Sequence, residues 1–153
     1  MSVLLKHSDY IRRTDCFICN EMEFGRFFDM DTAFFTPAQM LSFVKEQTAL
    51  HSYPSTIVTM GDRGCVFLDR KTGEEGWIPA ISTKVVDTTG AGDIFGGSAV
   101  WKLLQQKAPE MLNEEEVRSI TEFAGASAGL STTKPGGISS VPTLEQVLER
   151  LGK

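Results

Sequence analysis

Short apolar runs alternate along this chain with stretches whose apolar residues recur every three or four positions. Asp15-Cys-Phe-Ile-Cys19 has the pattern of a short buried strand ending at Asn20. Phe24, Phe27 and Phe28 follow at helical spacing, and residues 29–36 read as a loop. Thr36 then caps a helix with Pro37 at its first position and Met40, Leu41, Phe43 and Val44 inside, running to about Leu50. Phe34, Phe35 and the methionines read as core. Ser55–Thr59 and Cys65–Leu68 are strands joined through Gly61 and Gly64 as a hairpin. Lys71–Gly76 is a polar turn. The strand continuing through Trp77 and Ile78 ends at Pro79, which lacks a ladder donor and suits an edge.

The second half begins with Val85 and Val86, a β-branched pair that makes Lys84–Asp87 a strand. A helix runs from Ala91 to about Gln106, and Pro109 marks the break after it. Asn113 caps the next helix, with Glu114, Glu115 and Glu116 in its first turn and Ile120 and Phe123 inside. Ser131–Ser140 is a loop, and Pro142 and Thr143 open a last helix ending near Leu151. The order β-α-α-β-β-β-β-α-α-α contains no internal repeat or linker. It predicts one domain over residues 1–153 with a layered α/β fold.

Composition narrows the function. At 153 residues, 41% hydrophobic and 23% charged, the chain can bury a substantial core. No apolar run approaches the roughly 18 residues that span a membrane, and the N-terminus lacks the apolar core of a signal peptide, so a cytoplasmic location is expected. The net charge of −5, with no basic cluster longer than Arg12-Arg13, argues against nucleic acid as partner. Cys16, Cys19 and Cys65 are too few for a disulfide framework. Cys16 and Cys19 have Cys-x-x-Cys spacing, but no second pair exists and a strand would point them to opposite faces. They read as buried thiols.

The candidate chemistry centres on Asp87-Thr-Thr-Gly-Ala-Gly-Asp93. Gly90 and Gly92 remove Cβ atoms where a ligand must approach the backbone, and the amides of a turn and a helix start favour an anion there. Asp93 at that place can take a proton from a hydroxyl while the amides hold a transferring phosphoryl group. The bland alternative is that Asp93 only caps the helix. A dinucleotide fingerprint fails because position 95 is Phe, and a Walker-type loop fails because the only Gly-Lys pair is Gly152-Lys153. Elsewhere, Asn20 and Glu23 just past a strand end can organise the waters of Mg²⁺, or simply begin a helix. The small residues Ala124–Gly129 allow close helix packing, or leave room for a flat ring.

The 87–93 stretch resembles the C-terminal signature of the ribokinase-like (PfkB) family of sugar and nucleoside kinases. The resemblance implies an α/β fold and transfer of the γ-phosphoryl of ATP to a hydroxymethyl group. Asp93 is then the catalytic base, and Gly90, Ala91 and Gly92 form the anion hole. Asn20-x-x-Glu23 matches the family's Asn-x-x-Glu motif, which implies a nucleotide contact by Asn20 and metal organisation by Glu23. Thr59-x-Gly61-Asp62-x-Gly64 matches the loop along the ATP phosphates, and Gly125 falls at an adenine-adjacent position. The family also places a monovalent cation, usually K⁺, between its signature aspartate and its last loop. The matching positions are Asp87, Thr89, Ser131, Lys134, Gly136 and Ser140, several of them through backbone carbonyls.

These motifs run in family order across residues 20–140, yet they correspond only to the C-terminal, nucleotide-binding half. The acceptor-binding residues and the small β lid have no counterpart here. The expected function is ATP-dependent phosphorylation of a sugar-like acceptor, weak in this chain alone because both reactants must be positioned and water excluded. A non-catalytic nucleotide-binding module, or a nucleoside or vitamin-precursor kinase, are the alternatives. A sheet edge exposed near residues 15–19 invites self-association or a complementing N-terminal half.

Overall fold

A computed structural model describes residues 9–10, 13–51, 55–108 and 111–153. Pro109, expected to mark a helix break, lies outside the described residues, as does Arg12 of the basic pair. The chain divides into two compact units, Met1–Trp77 and Ile78–Lys153.

In the first unit, strand β1 (Cys16–Asn20) leads through helices α1 (Glu21–Phe27) and α2 (Pro37–His51) to β2 (Ser55–Thr59). The two strands pair in parallel, with Asn20 opposite Thr59, because the intervening helices carry the chain back across the sheet. β2 then turns into antiparallel β3 (Cys65–Leu68), and β4 (Glu75–Ile78) completes a sheet of order β1-β2-β3-β4. The expected edge position of the strand before Pro79 is therefore observed. β1 forms the other edge, and no strand lies beyond it among the described residues.

Cys19, Phe24, Met40, Phe43, Val44, Val58, Met60 and Val66 make the core of this unit. Phe24 meets Phe43 edge to face at 5.5 Å, the favoured aromatic geometry. Gly25 is required by space: a Cβ there would sit 2.4 Å from the Met30 carbonyl.

Several core expectations need correction. Phe34 is 91% exposed, because it lies in the turn before α2 while Phe35 turns inward onto Phe43. Met22, Met30 and Met111 are exposed; among the described methionines only Met40 and Met60 are core. Cys19 and Cys65 are buried, and burial pushes the Cys65 thiol up to about 12. Cys16 is exposed, since it opens the edge strand on the face opposite Cys19.

In the second unit, helices α3 (Ala91–Leu104), α4 (Glu114–Ser131) and α5 (Leu144–Arg150) pack around Phe123, Ala126 and Val147, joined by Ile81, Leu130 and Leu151. Trp101 of α3 stacks on Phe123 of α4 at 5.4 Å. Lys84–Asp87 is not a strand. Val85 and Val86 are exposed, and the amides of Val86 and Asp87 both donate to the Thr132 carbonyl instead of to a neighbouring strand. β propensity forms a strand only where a partner strand can take its ladder bonds. Among the described residues, no helix is long and apolar enough to cross a membrane.

Candidate functional site

The first unit gathers Asn20, Glu23 and Thr59 at the C-terminal ends of two parallel strands, the usual place for ligands in open α/β sheets. Asn20 is the N-cap of α1. Its Oδ1 accepts from the Glu23 amide at 2.8 Å, and its own amide donates to Glu23 Oε2 at 2.9 Å. This reciprocal box holds both exposed side chains at the strand end. It ties up one Glu23 carboxylate oxygen and leaves the other open. Both readings of Asn20 and Glu23 are thus compatible: they begin a helix, and the box orients them.

Thr59 donates its hydroxyl to the Cys19 carbonyl at 3.4 Å. The loop after it, expected as a simple hairpin turn, is a single 3₁₀ turn over Gly61–Arg63. Gly61 at φ 59° and Gly64 at φ 88° supply the left-handed positions that the turn needs. Asp62 is exposed on it.

Sequence reasoning missed the residues that hold this turn in place. The Arg63 guanidinium pairs with Glu21 of α1 and donates to the Phe35 carbonyl, and the Arg63 carbonyl accepts from Trp77 Nε1 at 2.6 Å. Glu21 and Arg63 are 42 residues apart. Only the presence of an acid in a helix first turn and a base in a glycine turn hinted at the pairing.

The second unit carries the 87–93 stretch. Of the five helices whose starts are described, four begin with reciprocal side-chain caps: Asn20/Glu23, Thr36/Gln39, Asn113/Glu116 and Thr143/Gln146. α3 begins differently. Its N-cap is Gly90 at φ 77° and ψ 0°, with no side-chain cap. The Ala91 amide donates to the Thr88 carbonyl at 3.2 Å, while the amides of Gly92 and Asp93 lie in the first turn, where no intrahelical carbonyl is in reach. A Cβ on Gly92 would meet nothing within 4 Å, so the approach to these amides is open. The Asp93 side chain, in this same first turn, is exposed. Aspartate there is not the cap that the bland alternative required.

Asp87 fixes the approach to this bare helix start. Its Oδ2 accepts from the Gly136 amide at 2.8 Å and its Oδ1 from the Thr89 amide at 2.9 Å. These bonds, the Gly136 one foremost, hold its carboxyl down at about 2. Gly136 sits at φ 84°, and the Cα of Gly137 would be 3.2 Å from a Cβ on Gly90. The signature turn and the last loop therefore touch through glycines.

Among the other expected cation positions, Thr89 and Lys134 are exposed. Ser131 and Ser140 are buried and donate their hydroxyls to the Ala128 and Gly137 carbonyls, each at 2.7 Å. The carbonyl of this loop that reaches the 86–87 segment is that of Thr132, a residue the sequence did not single out. Among the described residues, no cluster of three or more His, Cys, Asp or Glu is placed to hold a metal ion, so the donors available in this loop are carbonyls and hydroxyls.

The small-residue stretch of α4 divides. A Cβ on Gly129 would fall 2.4 Å from Ile81, so that glycine serves close packing. A Cβ on Gly125 would meet nothing within 4 Å, which leaves the open space a flat ring would need.

Comparison with known proteins places these motifs in context. The sequence model of the pfkB family carbohydrate kinases matches residues 2–144. Fructokinase-1 of Zea mays is 40% identical over 99 residues, which is 63% of this chain and 29% of that protein. The structure of a ribokinase from Giardia lamblia superposes with a TM-score of 0.79 at 27% identity, covering 95% of this chain and 45% of that one. That of an Arabidopsis thaliana ribokinase, complexed with ribose and ATP, superposes with a TM-score of 0.77 at 26% identity, covering 94% of this chain and 43% of that one. The chain thus spans less than half the length of these relatives, and its fold is an incomplete ribokinase-like α/β fold.

Proposed function

Because the chain belongs to the pfkB family of carbohydrate kinases, we propose that it binds ATP and serves the transfer of the γ-phosphoryl group of ATP to the hydroxyl of a sugar-like acceptor. The observation that carries this reading is the contrast at the helix starts. Four are closed by side chains, and the one inside the family signature is left bare behind a left-handed glycine. Bare amides at the positive end of a helix are an anion site.

In the proposed chemistry Asp93 takes the proton from the acceptor hydroxyl as its oxygen attacks the γ-phosphorus. The new P–O bond forms as the bond to the β-phosphate oxygen breaks, and ADP leaves with its electron pair. The amides of Gly92 and Asp93, with the turn through Gly90 and Ala91, hold the charge that spreads over the transferred group. Asn20, Thr59 and the Gly61–Gly64 turn with Asp62 bind the nucleotide, and the space above Gly125 takes its ring. Mg²⁺, when bound, neutralises phosphate charge; the free Glu23 oxygen suits it through water. A weakly hydrated cation such as K⁺ suits the carbonyl-rich contact between Asp87 and residues 131–140. Ribose and fructose are the acceptors that the relatives' names suggest.

The test is ADP production from ATP, Mg²⁺ and K⁺ with fructose or ribose. We expect slow, acceptor-dependent turnover that falls about 10²- to 10⁴-fold in Asp93→Ala, with ATP binding retained. The second reading is a nucleotide-binding module without turnover. No acceptor-dependent turnover by the wild type, with ATP still bound, would establish that reading and overturn the first.

A further inference from the structure

A surface cavity of about 390 Å³ lies in the second unit where the end of α4, the last loop and α5 meet. None of the residues of the bare helix start lines it. Its size falls in the range of small-ligand sites, about 300–1,000 Å³. The wall is divided by chemistry. Lys134, Arg150 and Gln146 offer donors, and Glu149, Thr133 and Ser140 offer acceptors.

The donors are available. One Arg150 Nη donates to the Ser82 carbonyl at 2.7 Å, which anchors the guanidinium and leaves its other N–H groups open. The Gln146 carbonyl oxygen accepts from the Thr143 amide at 2.9 Å, so its NH₂ group remains unused. Thr133 and Ser140 have committed their protons, each at 2.7 Å, to the carbonyls of Leu130 and Gly137. Only their lone pairs face a ligand. Leu130 and Pro142 supply the apolar remainder.

We propose that this cavity is a second ligand site, for a small hydroxylated anion whose phosphate or carboxylate lies between Lys134 and Arg150. Its hydroxyls donate to Glu149, Thr133 and Ser140. Two cations against one carboxylate select a net negative ligand, and the acceptor-only hydroxyls select one that carries protons to give. The site stands independently of the kinase reading. Lys134 and Ser140 flank Gly136 and Gly137, so an occupant touches the loop that bonds Asp87.

The experiment is amide NMR of the chain titrated separately with fructose 6-phosphate, gluconate, inorganic phosphate and fructose. Saturable shifts at Thr133, Ser140 and Gln146 with the two hydroxylated anions are expected, and none with neutral fructose. The phosphate and the carboxylate arms decide which anionic group is preferred. Lys134→Ala combined with Arg150→Ala should weaken binding about tenfold or more. Glu149→Gln should tighten it about twofold, a gain that misfolding cannot produce. No saturation at about 10 mM, where even a millimolar site fills, would overturn the proposal. So would shifts confined to the amides of Gly92 and Asp93, which would assign the anion to the helix start and leave the nucleotide reading standing.

Discussion

The starts of α1 and α3 are built from opposite materials. At α1, Asn20 and Glu23 satisfy each other's backbone, and Arg63 pins the neighbouring turn to Glu21. At α3, a left-handed glycine replaces the cap, and the amides of Gly92 and Asp93 have no intrahelical partner. The first arrangement holds side chains still, and the second leaves backbone donors unspent. Fixed side chains can orient a ligand, and free amides can hold an anion's charge. Since the four other helices whose starts are described are closed by side chains, the open start belongs to the 87–93 signature.

The most damaging change to this contrast is Gly90→Ala. A side chain at φ 77° is strained by about 1–3 kcal/mol. Its Cβ would also press on Gly137 at 3.2 Å. Chemical denaturation should show that loss, and calorimetry should show weaker ATP binding. Wild-type affinity would mean that the turn geometry is incidental to phosphate binding.

A sharper comparison pairs Asn20→Ala with Asn113→Ala. Both remove one half of a reciprocal cap and should cost about 1 kcal/mol each. Only Asn20→Ala should reduce ATP affinity. Equal effects on ATP would reduce Asn20 to a helix cap.

The smallest effect is read through pH. Asp87 is held at about 2 by the Gly136 and Thr89 amides, below its usual value near 3.9. A depressed carboxyl stabilises the fold above its unfolded value, and that contribution disappears as pH falls from about 4 to 2. Wild type should therefore be more stable than Asp87→Asn at neutral pH, with the gap closing across that window. A constant gap down to pH 2 would exclude the carboxylate as its source.

Much of this was legible in the sequence because the signals were local. Asn20, Thr36, Asn113 and Thr143 each announced a helix start within four residues, and Gly90 and Gly92 announced a turn open to a ligand. The failures were non-local. Val85 and Val86 carry strand propensity but have no partner strand, so the segment bonds the Thr132 carbonyl instead. Phe34 differs from Phe35 only by which side of a turn it falls on. The Arg63–Glu21 pair joins positions 42 residues apart, and no spacing rule links them. For the same reason only resemblance to a family grouped Asp87 with Gly136, and it did so around a cation, whereas the structure bonds them directly.

The most direct test of the account is amide NMR of the chain titrated with Mg·ATP in the presence of K⁺. The account predicts saturable shifts at Gly92 and Asp93, while Glu116 and Gln146, whose amides are already bonded to Asn113 and Thr143, stay in place. Saturable binding that leaves Gly92 and Asp93 unmoved would contradict the claim that the bare start of α3 is the phosphate cradle.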